Sequence, residues 1–177
     1  MSKVRIATAW LDGCSGCHMS LLDIDERLID IADLIDIVYS PVVDPKEFPE
    51  NVDVTLVEGA VSNEDDLEKI LKIRSRTKIL ISLGDCAITA NVPGMRNYHK
   101  TEALFDRAYI ENADLNQVHP DEVIPPLLER SKPIHHVVDV DLYLPGCPPP
   151  ADAIFHVLSE LLAGRTPDVK GISRFGA

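Results

Sequence analysis

Four cysteines are the residues of this chain whose type and spacing could do chemistry. Cys14 and Cys17 form a C-x2-C pair, while Cys86 and Cys147 stand alone much further along the chain. Four thiolates can hold a zinc ion, a [2Fe–2S] cluster or a [4Fe–4S] cluster. The spacing is neither the paired-knuckle pattern of a zinc ribbon nor the tight cysteine run of a ferredoxin. It therefore favours a metal centre assembled from distant parts of the chain.

Glycine lies beside each of these thiols, at Gly13, Gly16, Gly84 and Gly146. Because glycine has no side chain, the backbone at these positions can approach a bulky cluster closely. We expect their N–H groups to donate hydrogen bonds to sulfur. Two plainer interpretations remain open, namely four unrelated buried thiols and a structural zinc site.

The charge balance limits the partners of the chain. Its 17 basic and 29 acidic side chains give a formal net charge of −12, which repels nucleic acid and anionic membrane surfaces. No apolar run approaches the roughly 20 residues needed to span a bilayer, and the N-terminus leads directly into a strand pattern. We therefore expect a cytoplasmic protein that binds neither nucleic acid nor membrane. In that compartment stable disulfides are rare, so four cysteines indicate metal or redox chemistry.

Strand patterns and helix patterns alternate along the chain, which predicts one α/β domain over residues 1–177. Strands are predicted at 3–11, 35–39, 52–57, 78–83 and 137–144. Helices are predicted across the apolar set Leu21 to Ile31, after a cap at Ser62-Asn63-Glu64-Asp65, and over 150–163. Right-handed crossovers would make this a doubly wound, flavodoxin-like parallel sheet.

Residues 91–133 break the alternation with prolines, glycine and asparagines. Short helices are predicted there at about 101–109 and 121–130, set in loops. An irregular segment of this length inside a domain is usually functional or interface-forming. Arg96, Tyr98 and His99 belong either to a docking surface or to a solvated loop.

All the cysteines follow predicted strands, and so does Glu58-Gly59. In a parallel sheet the carboxyl ends of the strands share one edge, where ligands bind. Glu58 is therefore a candidate for proton transfer or for support of the metal ligands, although a helix contact is an equal alternative. Neither G-x-x-x-x-G-K-[ST] nor G-x-G-x-x-G occurs, and bound FMN is possible but supported by no motif.

The motifs together resemble the proximal-cluster motifs of the small subunit of nickel–iron hydrogenases and, more broadly, of the related complex I subunit. The similarity extends from about residue 3 to residue 164. It is carried by Trp10-Leu-x-x-Cys14-x-Gly-Cys17-x-x-Ser20, Val57-Glu58-Gly59-Ala60, Gly84-x-Cys86-Ala87 and Leu144-Pro145-Gly146-Cys147-Pro148-Pro149. The resemblance implies one [4Fe–4S] cluster held by the four cysteines. It also implies a large partner subunit that carries the Ni–Fe site, because this chain has only one of the paired-cysteine motifs such a site needs.

Two departures refine the resemblance. Exported hydrogenase small subunits begin with a twin-arginine signal and continue into a part that ligates further clusters, and we expect neither here. The chain resembles instead the short small subunit of cytoplasmic, bidirectional NAD-reducing hydrogenases, whose electrons pass to a separate diaphorase module. Complex I homologues have adjacent cysteines where Ser15 and Gly16 separate Cys14 from Cys17. A complex I-like quinone-linked enzyme, a hydrogenase linked to coenzyme F420 or viologen, and a zinc-stapled non-catalytic module remain alternatives.

Overall fold

Five strands form one parallel sheet in the computed structural model, which describes residues 3–176. The strands of the chain are β1 (Val4–Trp10), β2 (Ile35–Tyr39), β3 (Val52–Glu58), β4 (Val61–Asn63), β5 (Thr77–Leu83), β6 (Leu127–Lys132) and β7 (Leu142–Leu144). The helices are α1 (Gly16–Leu22), α2 (Arg27–Ile31), α3 (Glu64–Arg76), α4 (Gly84–Thr89), α5 (Asn91–Gly94), α6 (Thr101–Phe105) and α7 (Ala151–Leu162). None of these helices has the length and apolar character that crossing a membrane requires.

The sheet has the strand order β2-β1-β3-β5-β7, and each neighbouring pair in it is parallel. Counting only these five strands, the order is 2-1-3-4-5, which is the flavodoxin-like order. The predicted doubly wound α/β fold is therefore confirmed. The order reverses between β1 and β3, and the crevice at that point is where such folds bind ligands.

Apolar side chains cover both faces of the sheet. Ile24, Leu56 and Ile154 belong to the core beneath α2 and α7, whereas Ile70 and Leu80 belong to the core beneath α3. Each such side chain contributes about 1.5–3 kcal/mol when it is removed from water. Burial on both sides explains why β3 and β5 are nearly continuous apolar runs instead of alternating ones.

The predicted cap of α3 is confirmed by two hydrogen bonds that involve Asp66. The Asp66 N–H donates to Asn63 Oδ1 at 2.8 Å, and the Asp66 carboxylate accepts from the Ser62 N–H at 3.1 Å. The first bond satisfies a backbone donor that the helix itself leaves free, and the second ties the first turn of the helix to β4. The helix therefore begins directly after β4 and directs the chain back across the sheet.

The prediction of one helix across Leu21 to Ile31 is wrong, because the chain turns between α1 and α2. Asp25 has a left-handed backbone with φ of 59°, which a continuous helix does not allow. The turn places Ile24 in the core, where only 1% of it is exposed. The burial of Ile24 therefore favours two short helices over one continuous helix.

The strand predicted at 137–144 is shortened to β7 because a side chain replaces part of the strand pairing. The Asp141 carboxylate accepts from the Leu80 N–H at 2.7 Å and from Arg74 Nη1 at 2.6 Å. The preceding Ile134–His136 forms a 3-10 turn that buries Ile134 against the α3 face. Regular pairing with β5 therefore begins only at Leu142.

The helix predicted at 121–130 is also wrong, since β6 occupies its second half. This strand pairs antiparallel with β4, directly after the helix-breaking prolines of the segment. Arg96 Nη2 holds the pair by donating to the carbonyls of Ser62 and Leu128, both at 2.9 Å. Arg96 therefore organises segment 91–133 from within. The other predicted helix, at about 101–109, is confirmed as α6 and the π-helical turns of Asp106–Glu111.

Candidate metal centre

The turn after β1 presents the cysteine pair. Its backbone is tied to the turn after β3 by reciprocal N–H to carbonyl bonds of 3.0 and 2.7 Å between Asp12 and Ala60. Cys14 is exposed, and its Sγ accepts a hydrogen bond from the Gly16 N–H at 3.4 Å. Cys17 is buried in the first turn of α1. The pair therefore lies at the crevice between β1 and β3, with one thiol facing outward and one inward.

The turns after β5 and β7 present the two single cysteines side by side. Gly84 and Gly146 start these turns with φ of 82° and 135°, in the region that favours glycine. The Asp85 N–H donates to the Gly146 carbonyl at 2.8 Å, which joins the two turns. Cys86 is half-buried in α4, and Cys147 is exposed. The three cysteine-bearing turns thus open on the same edge of the sheet, as the sequence predicts.

Gly84 shows how closely the turns approach one another. A Cβ atom at this position would lie 2.3 Å from Cys17 Sγ and 3.4 Å from the Gly146 carbonyl oxygen. The first turn also contacts the third, since Ser20 Oγ donates to the Pro149 carbonyl at 2.5 Å. The missing side chain of Gly84 therefore lets the buried thiol of Cys17 lie directly against the turn after β5.

The thiols influence one another electrostatically. Burial raises the pKa of the Cys17 thiol strongly, and the negative charges of Glu58 and of the three other thiolates raise it further. Burial also raises the pKa of Cys86, which its neighbouring thiols increase and the Val92 N–H partly offsets. A thiolate at Cys17 or Cys86 therefore needs a compensating positive charge, which bound metal ions would supply.

Hydrogen-bond donors surround the sulfur atoms at the open side of the edge. Asn91 Nδ2 lies 3.6 Å from Cys147 Sγ, and the Gly16 and Val92 N–H groups face Cys14 and Cys86. The Gly146 N–H, by contrast, donates to Asp85 Oδ1 and not to sulfur. Within residues 3–176 no three His, Cys, Asp or Glu side chains are gathered closely enough to hold a single metal ion.

Glu58 is the centre of a buried polar chain beside Cys17. Only 2% of Glu58 is exposed, and its Oε2 accepts the His18 N–H at 2.8 Å and lies 2.5 Å from His18 Nδ1. The other ring nitrogen of His18 lies 3.0 Å from Thr8 Oγ1, whose hydroxyl donates to Ser40 Oγ at 2.8 Å. Glu58 therefore holds the start of α1 and borders the site, as the sequence allowed.

Sequence reasoning missed three residues of this region: His18, Asp85 and Asn91. His18 has no metal-ligand spacing, so a core histidine is the ordinary expectation. Nothing in the sequence shows that Asp85 is buried. A buried carboxylate needs hydrogen-bond partners, so its role becomes visible only once the structure shows its burial. Asn91 is an ordinary loop residue until α5 brings it to Cys147.

The comparisons with known proteins agree with this geometry. The family model for the 20 kDa subunit of NADH ubiquinone oxidoreductase matches residues 14–161, a span that includes all four cysteines. The chain belongs to this family. The relatives described next are subunits of hydrogenases.

One such relative is a vhu subunit of the F420-non-reducing hydrogenase of Methanocaldococcus jannaschii, which is 43% identical over 93% of this chain and 58% of that protein. Another is the delta subunit of the NAD-reducing hydrogenase HoxS of Cupriavidus necator, which is 39% identical over 98% of this chain and 86% of that protein. The chain spans 58 to 59% of the length of the F420-non-reducing relatives that it matches first. The relatives that match the chain over most of its length are thus hydrogenase subunits.

Among solved structures, the chain matches a subunit of an NAD+-reducing [NiFe]-hydrogenase in the H2-reduced state. The TM-score is 0.94 at 41% sequence identity, over 98% of this chain and 99% of that one. A match at this level covers the sheet, the three cysteine-bearing turns and segment 91–133 together. The family member described here therefore shares its fold with a chain of this hydrogenase over nearly the whole length of both.

Proposed function

We propose that this chain is the electron-transfer small subunit of an NAD-reducing nickel–iron hydrogenase. In this proposal Cys14, Cys17, Cys86 and Cys147 ligate one [4Fe–4S] cluster between the Ni–Fe site of a large subunit and a diaphorase module that reduces NAD. The observation that carries it is the convergence of the three cysteine-bearing turns on one edge of the sheet, where Cys17 Sγ lies against Gly84 and the Asp85 N–H donates to the Gly146 carbonyl. When bound, such a cluster supplies one-electron transfer.

The residues of this chain would hold the centre and adjust it. Cys17 and Cys86 would ligate it from the buried side, whereas Cys14 and Cys147 lie at the exposed side. Hydrogen bonds to thiolate sulfur raise the potential of an iron–sulfur centre, so Asn91 and the Gly16 N–H are candidates for that adjustment. The buried Glu58–His18 pair would fix the helix that carries Cys17 and keep water from its inner side.

Metal analysis of the chain purified without oxygen tests this proposal. We expect about four iron atoms and about four acid-labile sulfides per chain, with a broad brown absorption. One zinc ion without colour would overturn the proposal in favour of a zinc-stapled module. A resolved yellow flavin spectrum without iron would point instead to a flavin-binding scaffold.

The proposed partner is a large subunit that covers the open edge of the sheet. Segment 91–133 begins beside the exposed Cys147, whose sulfur Asn91 contacts, and it carries many exposed apolar side chains. Those that are exposed in this segment include Val92, Met95, Tyr98, Leu115, Val118, Val123 and Ile124. So much apolar surface in one irregular segment marks an interaction site, and a specific interface buries about 800 Å² on each partner.

Hydrogen–deuterium exchange tests this interface. Amides of residues 91–133 should exchange at least about tenfold more slowly in the complex with the large subunit than in the isolated chain. The strands β2 and β7 form the two opposite edges of the sheet, so β2 serves as the internal control. Equal exchange of 91–133 in both samples would contradict the interface.

The identity of the electron acceptor is the most specific claim of the proposal. The structural match to the NAD+-reducing enzyme at a TM-score of 0.94 supports NAD. The F420-non-reducing relatives support a different acceptor, which other subunits would determine. Hydrogen-dependent reduction of NAD, of coenzyme F420 and of a viologen dye by the purified complex separates these alternatives. We also propose that the complex is cytoplasmic, where NAD is reduced and the thiols remain free to bind metal.

A further inference from the structure

Asp85 is a buried carboxylate that the proposed electron transfer does not use. It precedes Cys86 and is only 6% exposed. Its Oδ1 accepts the Gly146 N–H at 2.7 Å, and its own N–H donates to the Gly146 carbonyl at 2.8 Å. These two bonds form a ring between the turn that carries Cys86 and the turn that carries Cys147. The two positions are 61 residues apart along the chain.

The second oxygen of the same carboxylate is held by a third part of the chain. Asp85 Oδ2 accepts the Gly176 N–H at 2.7 Å. The hydroxyl of Ser173 donates to the Pro145 carbonyl in the Cys147 turn. Residues 173–176 therefore lie across both cysteine-bearing turns, and they contact each one through a single polar group.

We propose that Asp85 is a positioning residue that fixes Cys86 and Cys147 relative to each other, and that residues 173–176 are a strap that locks its carboxylate. A carboxylate is required because two N–H donors approach its two oxygens, one at each. An asparagine would direct its own amide donors at one of those N–H groups and leave it without a partner. The inference rests on the proposed function, because it concerns how two of the four proposed ligands are placed.

The test compares Asp85→Asn with Asp36→Asn, which changes an exposed carboxylate in the edge strand β2. Both variants have the same net charge and are prepared in the complex with the partner subunits. We expect Asp85→Asn to lose iron to a chelator about 10- to 100-fold faster than wild type, in line with the loss of metal affinity that changes to outer-shell partners cause. The EPR spectrum of its reduced cluster should also change, whereas Asp36→Asn should behave as wild type in both measurements.

Removal of residues 173–177 provides a second variant, which leaves Asp85 and all the cysteines in place. It should accelerate iron loss by a smaller factor than Asp85→Asn, because the ring to Gly146 is kept. Hydrogen–deuterium exchange gives a readout that does not depend on iron. Four prolines leave Leu144, Gly146 and Cys147 as the amides of residues 144–150, so a peptide there reports on the Gly146 bond directly. Faster exchange of this peptide is expected in Asp85→Asn.

The outcomes separate the two proposals. A wild-type chain without iron would overturn the proposed function. A wild-type chain with normal iron, together with wild-type iron loss, EPR spectrum and exchange in Asp85→Asn, would overturn this inference alone. If Asp85→Asn does not fold, unchanged iron loss in the chain without residues 173–177 would likewise overturn the strap.

Discussion

Replacing Cys17 or Cys147 by alanine is expected to abolish hydrogen-dependent reduction of NAD by the assembled enzyme. The loss should exceed about 100-fold, because removal of a ligand costs more than the roughly 10- to 100-fold typical of its outer-shell partners. A separate diaphorase should keep its NADH–dye activity, since its chemistry does not pass through these thiols. Parallel assays of both activities on the same preparation, together with iron content, check this prediction.

Ser75→Ala is the matched control for the cysteine variants. It removes one small polar group from an exposed position of α3, far from the candidate centre. This variant should keep both activities. Loss of both activities in the cysteine variants, or of neither, would count against the assignment of the chain as an electron relay.

Gly84→Ala is expected to have the second largest effect, because one methyl group would enter the space beside the buried thiol. Its Cβ would lie 2.3 Å from Cys17 Sγ, so the cysteine side chain has to leave its position. The left-handed φ of 82° adds further strain. We expect the free energy of unfolding to fall by about 2–5 kcal/mol and most of the bound iron to be lost. Denaturant unfolding and iron analysis measure the two effects.

Gly164→Ala separates backbone strain from steric overlap. This glycine follows α7 with a similar φ of 71°, but a Cβ there would meet nothing within 4 Å. It should cost only the left-handed strain of about 1–2 kcal/mol and leave iron content unchanged. If Gly84→Ala and Gly164→Ala behave alike, the close approach to Cys17 has no part in holding the centre.

The position of the candidate centre could be predicted from the sequence because strand polarity is a simple constraint. Each cysteine follows an apolar run, and alternating helices require those runs to be parallel. Once β1, β5 and β7 are parallel, their carboxyl ends share one edge whatever the details of packing. Glu58 reaches the same edge at the end of β3 for the same reason.

Element boundaries were less predictable where a side chain competes with the backbone. Asp141 takes the Leu80 N–H and shortens β7, although the residues around it alternate as a strand would. In segment 91–133, Arg96 and Asn97 bind the backbone of β6 from a remote turn, which stabilises a strand where local propensity predicts a helix. Local patterns cannot reveal such partners, because the partners are distant in sequence.

The sequence by itself thus determined the parallel α/β architecture and the edge at which four thiols gather. Only the tertiary structure decided that Gly84 makes room for Cys17, that Glu58 pairs with His18, and that Asp85 joins the last two cysteine-bearing turns. The physical reason is that each of these contacts depends on strand register and on the path of a turn. A shift of an ångström or two removes any of them, while the pattern of apolar and polar residues stays the same.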